Sequence, residues 1–240
     1  MLLEICASSY LSVINAEKAG ADRVELCSEL ALGGITPSYG FIKKVKQNLS
    51  IPAFILIRPR SGNFYYSDNE FNIMKTNIEL CKELGCNGIV SGVLNSDNTI
   101  DVERTQELVE LSKPLPFTFH RAFDKVKDSF EALEQLINIG VDRILTSGKE
   151  ASAEGGFKHL LALRKQATNK LIILPGSGIN KENVLLFKNA KFEEMHCSAS
   201  TIHYVNELEH IPLNSKVFFD ERILVHSDYN KIKSIVDIVN

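Results

Sequence analysis

The chain has 240 residues, 44% of them hydrophobic, which is enough to bury one sizeable core. Lys and Arg total 27 against 30 Asp and Glu, so a net charge of -3 excludes strong electrostatic attraction to nucleic acid or an anionic membrane. The first residues lack a basic leader, no uncharged apolar run approaches the ~18 residues of a membrane span, and five irregularly spaced cysteines do not suggest a secreted disulfide framework. We therefore expect a cytoplasmic protein with reduced thiols and small molecules or ions as partners.

Short apolar runs alternate with amphipathic ones about every 30 residues, which is typical of repeated strand-helix units. We predict an α/β fold, a single (β/α)8 TIM-type barrel over residues 1-240, with a divergent and less regular C-terminal segment after Thr201 and a last helix near Ser227 to Val239. An open doubly wound sheet is the alternative. The predicted strands are Leu2 to Cys6, Arg23 to Cys27, Ala53 to Arg58, Gly88 to Ser91, Phe117 to His120, Arg143 to Thr146, Leu171 to Pro175 and Glu194 to Ser198.

The first two strands each carry the pattern Glu-x-Cys. Because side chains alternate along a strand, Glu4 with Cys6, and Glu25 with Cys27, should point into the barrel on adjacent strands. Two thiolates form a soft donor set that suits Cu(I) or half of a Zn site. Side chains of one barrel layer come from alternate strands, so neighbouring cysteines are expected at different heights. Two buried core thiols without a metal remain the alternative.

The carboxylates of Glu4 and Glu25 need a partner inside a barrel, because an unpaired buried charge costs several kcal/mol (about 3–5). We expect Arg58 and Arg60, at the end of the third strand, to pair with them. The alternative is a catalytic role, with one Glu acting as a general acid or base.

The fifth strand ends in His120-Arg121, followed by Asp124. His120 lies two residues beyond Thr118 and should face inward, where it can move a proton, and Arg121 can bind an anion beside it. Asp124 is predicted to cap the next helix, since its carboxylate accepts from free N–H groups.

The last third of the chain suggests a phosphate-binding loop. Gly176, Ser177 and Gly178 follow the seventh strand and Ser198 ends the eighth, where barrels commonly bind phosphate through backbone N–H groups. Ser147, after the sixth strand, can add a hydroxyl to the same pocket. The alternative is that these Gly and Ser residues only form tight turns.

Several of these strand ends together resemble the CutC family. The motifs that carry the resemblance are Glu25-Leu26-Cys27, Gly33-Gly34-Ile35-Thr36-Pro37-Ser38, Ile57-Arg58-Pro59-Arg60, Phe119-His120-Arg121-Ala122-Phe123-Asp124, Leu145-Thr146-Ser147-Gly148 and His196-Cys197-Ser198-Ala199. The resemblance runs from residue 2 to about 200. It implies a cytoplasmic, homo-oligomeric TIM-type barrel with a role in copper homeostasis, and Cu(I) ligands at Cys6 and Cys27. Where the family has Arg-Pro-Arg-Gly-Gly-Asp, this chain has an amide at Asn63.

Two functional hypotheses follow. The first is a Cu(I)-binding protein of copper homeostasis with Cys6 and Cys27 as ligands. The second is an enzyme acting on a phosphorylated or otherwise anionic small metabolite, with acid-base candidates Glu4, Glu25 and His120 and an anion-binding set comprising Arg58, Arg60, Ser147, Gly176, Ser177, Gly178 and Ser198. A scaffold that has lost catalysis is a third possibility, and the sequence alone leaves open whether the chain is an enzyme.

Overall fold

A computed structural model describes residues 1–204 and 222–240. Eight parallel strands form its central sheet, and each pairs with its neighbour in the order β7-β6-β5-β4-β3-β2-β1-β8. The two outermost strands of that order, β7 and β8, pack against each other, so the sheet curls into a nearly closed barrel. The strands are β1 Leu2–Ala7, β2 Arg23–Leu26, β3 Ala53–Leu56, β4 Gly88–Ser91, β5 Phe117–Phe119, β6 Arg143–Thr146, β7 Ile172–Pro175 and β8 Glu194–Cys197.

Helices alternate with these strands, as a TIM-type (β/α)8 barrel requires. Three of these helices are followed by a glycine with a positive φ, namely Gly20, Gly85 and Gly140 at 86°, 68° and 81°. The barrel prediction is confirmed, and the open sheet is wrong. The helices are α1 Tyr10–Ala19, α2 Tyr39–Asn48, α3 Asp68–Glu83, α4 Val102–Ser112, α5 Ser129–Asn138, α6 Phe157–Ala167, α7 Val184–Asn189 and α8 Tyr229–Val239.

The strand alternation divides the buried residues into two layers. Leu3 and Ile5 belong to the large apolar core between the strands and the helices. Cys6 and Cys27 instead belong to a small separate cluster completed by Phe54, Leu56 and Val90. The inward orientation predicted for the two cysteines is therefore confirmed.

The third strand is shorter than predicted. Its ladder with β4 ends at Leu56, and Arg58 already belongs to the following loop. There its N–H group donates to Thr36 Oγ1 at 2.8 Å, and its carbonyl accepts from the Thr36 N–H at 2.9 Å. The loop after β2 thus hydrogen-bonds to the backbone of Arg58. These bonds position the Arg58 side chain at the carboxyl ends of the strands.

Between β8 and the last helix lies an antiparallel hairpin, β9 Ser200–Tyr204 and β10 Ile223–Ser227. The last helix begins two residues later than predicted, with Asp228 as its N-cap. The rest of the divergent segment, residues 205–221, lies outside the described residues. Within the described ranges, no helix combines the length and apolar character that crossing a membrane requires.

Candidate functional site

The carboxyl ends of the strands surround a pocket of about 340 Å³. This pocket, here called the mouth pocket, is the place where TIM-type barrels hold their ligands. Most of the predicted site residues line it, namely Cys6, Glu25, Arg58, His120, Ser177, Gly178 and Ser198. Glu4, Cys27, Arg60, Ser147 and Gly176 are not among its lining residues.

The two cysteines of the Glu-x-Cys strands meet directly. Strand pairing places Cys6 opposite Glu25, so Cys27 lies two residues further along its strand. The Sγ atoms of Cys6 and Cys27 are nevertheless 3.6 Å apart. The predicted difference in height is present as this two-residue offset, and both side chains nevertheless pack in the same interior cluster. The hydrogen bond to Cys27 and burial raise the pKa of Cys6 well above its usual value, so Cys6 rests as a thiol.

This thiol pair suits a soft metal ion. Metal–sulfur bonds of about 2.3 Å, as at zinc, allow two sulfurs that share an ion to lie at most about 4.6 Å apart, and the observed separation is within that limit. Phe54, Leu56 and Val90 pack against the sulfurs in the barrel interior, and His196 hydrogen-bonds to Cys6. Cys27 is fully buried, whereas Cys6 also lines the mouth pocket. An ion can therefore reach the pair from the mouth.

Glu4 lies below the thiols and is held by Arg23, which donates from Nε to Glu4 Oε2 at 2.5 Å. Arg23 also donates to Glu194 Oε2 at 2.5 Å, and Arg143 donates to the same oxygen at 2.9 Å. The predicted pairing of Glu4 with Arg58 and Arg60 is wrong. The sequence contained the signal for the true partner, since Arg23 shares the inward face of β2 with Glu25 and Cys27.

His196, on β8, connects Glu4 to the thiols. Its Nδ1 lies 2.8 Å from Glu4 Oε1 and 3.8 Å from Glu25 Oε2. Burial acts to lower the pKa of His196, but hydrogen bonds to Cys6 and Glu4 and the charge of Glu25 raise it well above its usual value. Burial acts to raise the pKa of Glu4, but Arg23 and His196 lower it to about 2. A charged Glu4–His196 pair follows.

Glu25 differs from Glu4 although both belong to the same sequence pattern. It is only 4% exposed, and its Oε2 has no hydrogen-bond partner. Burial raises the pKa of Glu25 to about 7, with Glu4 adding to the effect and His196 and Arg23 opposing it. Ligand atoms of Glu4, Glu25 and His196 lie within 4.8 Å of one another, close enough to share a cation. The charge of Arg23 beside Glu4 opposes a cation there.

His120 and Arg58 occupy the opposite side of the mouth pocket. His120 Nδ1 accepts from the Ala122 N–H at 3.3 Å, which assigns the ring proton to Nε2, an atom with no partner. Burial, and then the charge of Arg58, lower the pKa of His120 to about 3. His120 is therefore a neutral hydrogen-bond donor near neutral pH.

The remaining predicted anion ligands are engaged elsewhere. Arg60 forms an ion pair with Glu70 at 2.5 Å, away from the mouth. Ser147 donates from Oγ to the Glu150 carbonyl at 2.5 Å. Gly176 packs closely in the barrel, where an added Cβ would lie 2.5 Å from Leu145 Cδ1.

Asp124 is not the helix cap that the sequence suggested. Asp128 caps α5, and Asp124 accepts instead from Thr146 Oγ1 at 2.5 Å and from the N–H groups of Ser147 and Lys149. Arg121 donates to both Asp124 and Ser147. Asp124 therefore shapes the loop after β6, and Arg121 remains half exposed beside the mouth pocket.

Comparison with known proteins gives one consistent result. A model of the CutC family matches residues 1–201. The copper homeostasis protein cutC homolog of Homo sapiens is 46% identical over 199 residues, covering 82% of this chain and 73% of that protein. A family protein CutC of Parabacteroides distasonis is 43% identical over 240 residues, covering 98% and 99%. The crystal structure of a CutC protein from Streptococcus agalactiae superposes with a TM-score of 0.78 at 36% identity, covering 82% of this chain and 98% of that one.

Fold and site together define a (β/α)8 barrel protein with a buried thiol pair beneath a polar pocket. The family model spans most of the chain, and close relatives share more than two fifths of their residues with it. The chain belongs to the CutC family, as its strand-end motifs predicted.

Proposed function

We propose that this protein binds Cu(I) through the thiolates of Cys6 and Cys27 and acts in copper homeostasis. The observation that carries the proposal is the 3.6 Å separation of the two Sγ atoms inside the barrel. Thiolates are the ligands that Cu(I) prefers, and apolar side chains pack against the pair on its inner side. The names of the relatives support the same function.

Cu(I) binding at this pair must release the proton of Cys6, because metals bind thiolates and Cys6 rests as a thiol. The affinity should therefore fall as the pH is lowered. All five cysteines are free. These five free thiols support the proposal that the protein works in the reducing cytoplasm.

An anaerobic competition titration against a chromogenic Cu(I) chelator tests the proposal. Native protein should withdraw one equivalent of Cu(I) from the chelator, and the Cys6→Ser, Cys27→Ser double variant should not. The matched control is Cys81→Ser, Cys86→Ser, which removes two other buried cysteines, at the end of α3. Equal binding by the native protein and the first variant would reject the thiol pair as the site.

A second candidate function is an enzyme acting on a small anionic molecule. It is favoured by the presence of Glu25, His120 and Arg58 around one pocket. In that function Glu25 is the acid-base candidate with access to a ligand, since Glu4 is 1% exposed and enclosed by Arg23 and His196. Screening phosphorylated and carboxylated metabolites for turnover, with Glu25→Gln as the comparison, tests it. Turnover that persists in Glu25→Gln would remove Glu25 from that role.

A further inference from the structure

We propose that the mouth pocket binds a small organic oxyanion, held by Arg58 and His120 on one side and by backbone amides of the β7–α7 loop on the other. This inference goes beyond copper binding and requires no metal. It also supplies the recognition step that the second candidate function needs.

The first observation is the uncompensated charge of Arg58. Its side chain is 5% exposed, and among the described residues no carboxylate lies within ion-pair distance of it. Within residues 1–204 and 222–240, its terminal nitrogens donate to backbone carbonyls, those of Leu32, Gly34 and Gly62 at 2.9, 2.7 and 3.0 Å. Its buried Nε has no partner. Carbonyl dipoles and the Phe64 ring, whose centroid lies 5.1 Å from the guanidinium carbon, stabilise this charge in part without neutralising it, and an anion stabilises a buried charge of this kind further.

His120 supplies a second donor to the same pocket. It is also 5% exposed, and the Ala122 N–H fixes its ring so that the protonated Nε2 is left unpaired. Burying an N–H group without an acceptor costs about 1–3 kcal/mol. A ligand oxygen at this position would satisfy it. The His120 ring stays neutral beside Arg58, so it contributes a hydrogen bond to the anion while Arg58 contributes the positive charge.

The opposite wall is a loop that presents free amides. Ser177 and Gly178 both have positive φ, 85° and 72°, in the turn that follows β7. Backbone hydrogen bonds in the described ranges use the Ser177 carbonyl, which accepts from the Ala153 N–H, but neither the Ser177 nor the Gly178 N–H donates in any of them. Two adjacent N–H groups without a backbone acceptor are available to donate to an anion. The Ser198 hydroxyl lies along the same wall.

The remaining lining defines the ligand class. Leu30, Leu56, Phe64 and Leu145 supply apolar surface between the two polar walls. A volume of about 340 Å³ is near the lower limit for small-molecule pockets. Such a pocket fits a small organic phosphate or carboxylate, with oxygens at one or both ends. Arg121, half exposed, also lines the pocket, where its charge is paired with Asp124.

Metal-free, 15N-labelled protein titrated with inorganic phosphate, and separately with acetate, tests the proposal. Saturable shifts at the amides of Ser177 and Gly178 are expected, and the tighter of the two probes identifies phosphate or carboxylate as the preferred group. Absence of saturable shifts at these amides with both probes would overturn the proposal, without any variant having to fold. Because no metal is present, that result would leave the Cu(I) proposal standing.

Variants at His120 test whether its Nε2–H group donates to the anion. His120→Asn keeps an acceptor near the Ala122 N–H and removes the Nε2 donor, so anion affinity should fall about 10- to 100-fold. His120→Gln places an amide donor near the Nε2 position and should recover part of that loss. The control is His159→Asn. The His159 ring hydrogen-bonds to Ser129 on the outside of the barrel, so this variant should leave anion affinity unchanged. Equal affinity of His120→Asn and native protein would remove His120 from the site.

Discussion

The Sγ atoms of Cys6 and Cys27 lie 3.6 Å apart although their residues differ by two positions in strand register. The Cα of Cys6 is paired with that of Glu25, and the N–H group of Cys27 donates to the Ala7 carbonyl at 3.1 Å. Convergence of the side chains inside the barrel, rather than strand pairing, brings the sulfurs together. The thiol pair is therefore sensitive to the packing immediately around it.

Gly34→Ala should disturb the packing around the thiol pair. Gly34 has a φ of +82°, and an added Cβ would lie 2.8 Å from Leu56 Cδ2 and 3.3 Å from Cys27 Cβ. We expect a loss of about 1–3 kcal/mol in the free energy of unfolding, measured by urea denaturation, and weaker Cu(I) binding. Gly40→Ala is the control, because nothing lies within 4 Å of its Cβ position in α2. Comparable stability of the two variants would contradict the packing described here.

Glu4→Gln should destabilise the barrel strongly. The change removes the carboxylate that Arg23 and His196 share, leaving two buried cationic groups with less compensation. Breaking a buried ion pair on one side typically costs about 3–5 kcal/mol, which chemical denaturation can measure. Glu110→Gln, which removes an exposed partner of Lys113, should have little effect. A small effect of Glu4→Gln would show that solvent reaches this network.

His120 should contribute to the loss of stability in acid. The fold holds the pKa of His120 at about 3, against an ordinary 6.5, because the neutral ring is favoured inside. Below pH 6.5, His120 takes up a proton in the unfolded chain. In the folded chain it takes up that proton only at about pH 3. Stability therefore falls with decreasing pH over that window, by about 1.4 kcal/mol per pH unit for this group.

Denaturation of native protein and His120→Asn between pH 7 and 4 measures that contribution, and the variant should show the shallower dependence. His159→Asn serves as the control and should follow the native protein. Parallel curves for the native protein and His120→Asn would mean that His120 takes up its proton in the folded state.

Asp124→Ala should loosen the loop after β6. The carboxylate accepts from Thr146 Oγ1 and from the N–H groups of Ser147 and Lys149, so its removal leaves several donors unpaired. Hydrogen exchange at the Ser147 and Lys149 amides should accelerate by about tenfold or more, the equivalent of one lost hydrogen bond to a charged group. Asp97→Ala, at an exposed turn, should leave these amides unchanged. Unchanged exchange in Asp124→Ala would show that other contacts hold the loop.

Strand alternation predicted much of the site. It correctly oriented Cys6 and Cys27 into the barrel, and it placed Glu25 and His120 at the mouth, since the inward face of a strand can be read from the sequence alone. The barrel itself followed from the regular spacing of the strands.

The partners of these side chains could not be read in the same way. Arg58 follows β3 and bonds to loop carbonyls, whereas Glu4 lies deeper in the barrel interior with Arg23. Height along the barrel axis depends on the shear between strands, which the order of residues in one strand does not reveal. For the same reason, the approach of Cys6 to Cys27 was visible only in three dimensions.

X-ray absorption at the copper edge, on protein loaded anaerobically with one equivalent of Cu(I), identifies the ligands of the ion. We predict two sulfur ligands in the native protein and none in the Cys6→Ser, Cys27→Ser variant. A first shell of nitrogen and oxygen alone in the native protein, or a sulfur shell that survives in the variant, would contradict it.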